Sequence, residues 1–227
     1  MNSSVRFFSR CRGGALAAVL AIALTGAAQS ASADAIPYPG SGSYNTTTYT
    51  FTAASSGDVI AYIVGGFGAG YTNELGLLIN GVDTSLYGLN NHASAVGDAL
   101  NFGAAVAGDT LTFVLKNISL GLSAYSDPSL NGSYDAVGQN LHNHIFSTDY
   151  TGSGPVFAGV PVGTYVGFED LQFPNSDYNY NDESFVFSNV KGTSVPEPAS
   201  LLLFGAGLSV VAMRMRRRAP RTQPSAR

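Results

Sequence analysis

Residues 163–190 read GTYVGFEDLQFPNSDYNYNDESFVFSNV: two runs of aromatic and branched residues on either side of an acid- and amide-rich interval. The runs at 163–168 and 184–190 have strand composition, and the interval between them reads as a connection. The same period-2 logic extends outward. In residues 46–52 (TTTYTFT), Thr46, Thr48, Thr50 and Thr52 fall on one face and Tyr49 and Phe51 on the other, as in a half-buried strand. Residues 58–64 (DVIAYIV) form a continuous apolar run, suited to a strand covered on both sides. A strand at 75–79 runs into Asn80-Gly81, a hairpin turn signal. Residues 100–106 and 110–116 bracket Ala107-Gly108-Asp109, which reads as a second hairpin. Residues 141–147 and 156–160 complete the strand candidates, while 83–99 and 121–140 are polar and read as loops. The glycine-rich stretch 65–70 (GGFGAG) lacks the lysine and the following helix of a phosphate-binding loop and reads as a flexible connection. Nowhere in this region is a 3.6-residue apolar period sustained. Nine to ten short strands without a helix predict an all-β fold, an antiparallel β-sandwich of jelly-roll-like type.

The two ends of the chain carry different information. Arg6, Arg10 and Arg12 precede an apolar run at 15–28 and the small residues Ala31-Ser32-Ala33, the layout of a secretory signal cleaved between Ala33 and Asp34. All nine arginines lie at positions 6–12 or 214–227. Residues 34–194 therefore hold two lysines, Lys116 and Lys191, against fourteen carboxylates, a formal charge of −12. Such a surface repels nucleic acid, whose binding needs the missing cations, and attracts positive ions. The one cysteine, Cys11, leaves with the signal, so the exported body forms no internal disulfide.

The interval at 169–182 holds the candidate ligands Glu169, Asp170, Asp177, Asn179, Asn181 and Asp182. In an extended chain Asp177, Asn179 and Asn181 project one way and Tyr178 and Tyr180 the other. Calcium takes six to eight oxygens from carboxylates, amides, carbonyls and water, and this composition offers them. The D-x-N-x-N opening is not an EF-hand, since Asp182 stands where that loop needs Gly and Ser188 where it needs Glu. Two carboxylates about 4 Å apart repel by about 4 kcal/mol at an effective dielectric of 20. With no arginine in the body, and only Lys191 near in sequence, a divalent cation or a retained proton must offset such terms. The competing reading is a solvated turn whose carboxylates never meet.

Other constellations carry less. His142 and His144 are spaced to share a strand face, where zinc or copper binding competes with a plain polar face. Asn45, Asn117 and Asn131 begin N-x-S/T triplets. No serine lies in a nucleophile-elbow setting, and tryptophan, a common sugar-stacking platform, is absent.

After residue 194 the chain reads Val195-Pro196-Glu197-Pro198-Ala199-Ser200, an apolar run at 201–213, then Arg214, Arg216, Arg217 and Arg218. As a helix the run spans about 20 Å against a bilayer core of about 30 Å, which fits a transient anchor with its arginines on the cytoplasmic side. This tail, residues 195–218, resembles the PEP-CTERM sorting signal of Gram-negative bacteria that make extracellular polysaccharide. The resemblance implies export, transient inner-membrane anchoring, recognition by an exosortase with processing near Pro196-Glu197-Pro198, and delivery to the cell surface or matrix. A tail of this kind also carries the label of an ice-binding-protein C-terminal domain, which describes the tail alone. The body, through AGYTNELGLLINGV (69–82), GTYVGFEDL (163–171) and SDYNYNDESFVFSNV (176–190), is similar to an uncharacterised β-rich domain common in such proteins. That likeness implies a ligand role, with calcium as the ion, for the same six residues.

The expected organisation is a signal at 1–33, a sandwich at 34–194, a sorting segment at 195–218 and a basic tail at 219–227. The expected protein is a non-catalytic, calcium-stabilised structural or binding component of the envelope or matrix. Exopolysaccharide binding is the alternative, ahead of glycoside hydrolysis through paired carboxylates and of ice binding through the threonine row. N-terminal sequencing of the protein recovered from producing cells is expected to begin at Asp34; a start before residue 15 would mean that the apolar run is retained.

Overall fold

The threonine–aromatic alternation folds as strand β1 (Thr48–Ala53), with Tyr49 and Phe51 buried and Thr50 exposed. The computed structural model describes residues 36–135, 142–153 and 157–195. Two antiparallel sheets account for them. The first contains β1, β3 (Asn73–Ile79), β4 (Val82–Gly88), β6 (Thr110–Asn117), β7 (Leu122–Tyr125) and β11 (Val190–Val195), in the order β11-β1-β6-β3-β4 with β7 added to β6. The second contains β2 (Gly57–Gly65), β5 (Ala99–Ala105), β8 (Ile145–Tyr150), β9 (Gly163–Phe168) and β10 (Glu183–Ser188), in the order β5-β2-β10-β9-β8. The protein is an all-β sandwich, as its patterning predicts.

The sheets meet through aromatic rings. Phe113 of the first stacks on Phe187 of the second with centroids 3.9 Å apart, and Phe51 packs against Phe113 at 4.8 Å. Each of these rings is at most 2% exposed, so each contributes nearly its full transfer free energy. The outer face of the second sheet is also covered: Val64, Tyr150, Tyr165 and Val186 pack under Ile36, Phe146, Phe157 and Val160. Strands β2 and β10 are therefore buried on both faces, which is why their sequences run apolar without alternation.

Several local expectations are corrected. Residues 83–99 were expected as loop, yet Val82–Gly88 forms β4, an exposed edge strand whose polar outward residues hide its strand character. Its hairpin with β3 turns on Asn80 (φ 52°) and Gly81 (φ 78°), the left-handed pair that such a two-residue turn requires. Ala107-Gly108-Asp109 does not close a hairpin. It carries the chain from β5 in one sheet to β6 in the other, with Gly108 N–H bonded to the Ala53 carbonyl. Within 121–140 the chain forms β7 and a short 3-10 helix at Pro128–Ser133. The described part of 156–160 is a turn rather than a strand. Asn45, Asn117 and Asn131 are all buried and hydrogen-bonded, so their triplets are structural in the folded protein. Among the described residues no helix is long and apolar enough to cross a membrane. The signal with Ala33 and Asp34, the Pro196-Glu197-Pro198 motif, the run at 201–213 and both expected terminal helices lie outside the described residues.

The glycine stretch after β2 is anchored rather than free at its start. A Cβ on Gly66 would lie 2.2 Å from the Asp182 carbonyl oxygen and 2.5 Å from the Glu183 Cα, and its φ is +98°. Only a residue without a side chain lets β2 approach the corner where β10 begins. Gly66→Ala is expected to lower stability by about 2 kcal/mol or more, measured by urea unfolding, because strain and a main-chain clash act together.

Candidate functional site

The acidic corner is built by one rung of sheet two. Glu183 stands opposite Phe168, and the Asp182 N–H donates to the Phe168 carbonyl at 3.0 Å. The chain thus leaves the sheet through Glu169 and Asp170 and re-enters it through Asp182 and Glu183. Residues distant in sequence are brought side by side by β pairing. The Asp170 N–H donates to Asp182 Oδ2 at 2.7 Å. Glu169 accepts from the Leu171 N–H at 3.3 Å and the Asn179 N–H at 3.2 Å. Glu169 and Glu183 are 0% exposed and Asp170 is 2% exposed, with Asp182 half-buried.

Burial is the leading electrostatic fact. It pushes the Asp182 carboxyl up to about 9, with further repulsion from Glu169 and Asp170. Glu169 is pushed up to about 7 by burial and then by Asp177. Asp170 is also raised by burial, against the opposing hydrogen bond from Asn73. Glu183 is raised well above the usual range by burial and then by Asp170. Among the described residues neither lysine pairs with these acids; Lys116 instead lies over the Tyr87 ring, 4.9 Å from its centroid.

Of the six predicted ligands, Glu169, Asp170 and Asp182 come together. Asp177, Asn179 and Asn181 lie beside them, with the Asn179 N–H on Glu169 and the Asp177 charge acting on Glu169 and Asp170, but the expected extended array is corrected. Tyr178 (φ 58°) and Tyr180 (φ 54°) adopt left-handed backbone, so the segment folds as consecutive tight turns. Side chains hold these turns: Ser176 Oγ accepts from Tyr178 N–H, Asp177 Oδ1 from Asn179 N–H and Asn179 Oδ1 from Asn181 N–H, at 3.0–3.2 Å. Asp177 Oδ2 also accepts from Asn179 Nδ2 at 2.7 Å. The short polar side chains serve the loop backbone first. Tyr180 is 1% exposed and its hydroxyl accepts from the Asn45 N–H at 2.9 Å, pinning the loop over the corner.

A buried polar network surrounds the corner, and sequence reasoning missed most of it. Asn73, at the start of β3 in the other sheet, donates from Nδ2 to Asp170 Oδ2 at 2.7 Å. The Tyr134 hydroxyl donates to the Asp170 carbonyl at 2.6 Å and accepts from Asn117 Nδ2 at 3.2 Å. The His pair is not a metal pair on a strand face. His144 lies between Asp135 Oδ1 and the Glu169 carbonyl, each 3.0 Å from a ring nitrogen, and His142 Nδ1 is 3.5 Å from Asp135 Oδ2. Asn73 and Asn117 gave no sequence signal because their partners are distant in the chain, while Glu183 was absorbed into the strand that follows it.

Among the described residues no three His, Asp or Glu groups stand ready around one point to hold an ion. Any cation held here takes amide or carbonyl oxygens as well as carboxylates, a donor mix that suits calcium.

Residues 194–218 match the family model of the PEP-CTERM protein-sorting motif. Comparison with curated proteins and with solved structures finds no match to the chain. The motif marks an exported protein recognised by an exosortase and sorted to the cell surface or beyond.

The pH response follows from the corner. Glu169 and Asp182 titrate above the ordinary carboxylate range near 4, so between pH 4 and 9 the folded chain holds more protons than the unfolded one. Their stabilising contribution is complete below that window and is lost as pH rises through it. Asp170 and Glu183, both raised by burial, shift in the same direction, the Asp177 charge adds to the rise at Glu169, and His144 contacts the Glu169 carbonyl and Asp135. In chelator, the unfolding midpoint is expected to fall by about 5 °C or more from pH 5 to pH 9, at 2–4 °C per kcal/mol for a domain of this size.

Proposed function

We propose that the exported sandwich is a calcium-stabilised structural or binding component of the cell surface or extracellular matrix. The observation that carries this reading is the meeting of buried Glu169, Asp170 and Asp182 with no basic side chain paired to them among the described residues. A calcium ion would supply the missing positive charge, held by Glu169 and Asp182 together with amide, carbonyl and water oxygens. Asp177, Asn179 and Asn181 shape the loop around it and offer their spare lone pairs. The reading is non-catalytic, and two grooves walled by described residues, one beside Tyr49 and Ser147 and one beside Asp127 and Pro128, are lined by none of Glu169, Asp170 and Asp182.

Glycan binding is the second reading, supported by a groove of about 220 Å³ lined by Tyr49, Ser147, Thr148, Asp149, Thr164, Gly192 and Ser194. Its hydroxyls match sugar chemistry. Its single ring, Tyr49, is 9% exposed and offers little stacking face. The threonine row widens across strands, with Thr50 opposite Thr193 and Thr52 opposite Thr110. It borders a concavity of about 280 Å³ walled by Asp127 and Pro128, which disfavours the flat array that ice binding needs.

Thermal unfolding of the full chain at pH 7.5 tests the calcium reading. Calcium at 100 times its dissociation constant adds about 2.7 kcal/mol, so the midpoint is expected to exceed that in chelator by about 5–10 °C. An unchanged midpoint removes the reading. Retention of the protein on exopolysaccharide would favour the glycan reading in its place.

A further inference from the structure

Three oxygens in the sealed interior beside the corner have no hydrogen-bond partner among the described residues: Asn73 Oδ1 and both carboxylate oxygens of Glu183. Both residues are 0% exposed. Buried polar atoms are almost always satisfied, and each orphan calls for a water or an ion. These three belong to one locality. Asn73 Nδ2 is bonded to Asp170 Oδ2 at 2.7 Å, and the Asp170 charge acts directly on Glu183. The Asn73 N–H donates to Asn91 Oδ1 at 3.0 Å, and the Asn91 main chain lies near enough to Glu183 to favour its charged form. Asn73 enters from sheet one, and Asp170 and Glu183 enter from sheet two.

We propose that Asn73 Oδ1, Asp170 and both oxygens of Glu183 form an inner calcium position that clamps the two sheets together, separate from the carboxylates of the outer loop. The donor set is one amide oxygen and two carboxylates, which matches a hard divalent cation in charge and ligand type. Magnesium keeps several waters and holds them reluctantly exchanged, whereas this locality is shut from solvent; calcium accepts a cage made mostly of protein oxygens. Glu183 can chelate through both oxygens, and Asp170, whose carboxylate is hydrogen-bonded to Asn73 Nδ2 and to Asp182, brings a second acid beside them. The inner position rests on the calcium reading above for the identity of the ion alone. Asn73 and Glu183 are fixed by their own unpaired atoms, and Asp170 by its bond to Asn73.

Calcium stoichiometry and affinity of the full chain, measured by calorimetry, separate the two positions. The parent protein is expected to bind two ions. Glu183→Gln and Asn73→Ala should each remove one, weakening it about 100-fold or more through loss of ligand charge or oxygen, while Asp182→Asn removes the other. Terbium luminescence sensitised by Tyr134, which touches the Asp170 carbonyl, should vanish in Glu183→Gln and persist in Asp182→Asn. Gln at 183 keeps the shape of the acid without its charge, so the variant folds in chelator; if it did not, Asn73→Ala would carry the test with the same readouts. Binding lost only in Asp182→Asn overturns the inner position and leaves the outer reading intact. Loss confined to Glu183→Gln and Asn73→Ala does the reverse. A chain that binds no calcium overturns both. A midpoint shifted equally in calcium and chelator by Glu183→Gln, with stoichiometry unchanged, marks a purely structural glutamate and also overturns the proposal.

Discussion

A carboxylate withdrawn from water must find a proton, a set of donors or a cation, and the interior of this sandwich contains no arginine to serve as the last. Pairing between β9 and β10 gives the chain no freedom to spread its acids. Once Phe168 and Glu183 share a rung, Glu169 and Asp170 lie beside Asp182 and Glu183 whatever the electrostatic cost. The aromatic stack of Phe113 on Phe187 and the double-sided burial of β10 hold that rung closed. Hydrophobic packing therefore compels the charge crowding, and the polar network through Asn73, Tyr134, His144 and Asp135 is arranged around it. The donors in that network reach Asp170 and the carbonyls near it but leave Glu183 unanswered.

Much of this was legible in the chain. The alternation at 46–52, the Asn80-Gly81 turn and the strand at 163–168 each encode a local rule strong enough to survive tertiary context. What failed was information that is not local. Strand β4 is polar because it is an exposed edge, so its sequence resembles a loop. Ala107-Gly108-Asp109 has turn chemistry, but nothing in a turn says whether the next strand rejoins the same sheet. At the site, Glu169, Asp170 and Asp182 announced themselves by acid density. Asp177 and Asn179 shared that density yet spend an oxygen on their own backbone, an outcome that composition cannot distinguish from ligation. Asn73 is 97 residues from Asp170, and no pattern within a window could join them.

The division of labour along the chain is also physical. Positive charge is confined to the terminal segments, where export and sorting act, and the body keeps only two lysines. An acidic body of this kind repels anionic lipid and nucleic acid. The one cysteine stands at position 11, so residues 34–194 have no thiol with which to form a disulfide and the sandwich is held by packing and its polar network.

The last strand has a mechanical meaning. β11 pairs with β1 through to Val195 opposite Thr48, and the sorting motif begins at Ser194. The matched sequence thus starts inside the folded edge. Proline at 196 and again at 198 supplies no donor, so the ladder cannot creep further along the chain. An exosortase that reads this motif therefore works at a border already knitted into the sheet, since Ser194 and Val195 are paired with Tyr49 and Thr48.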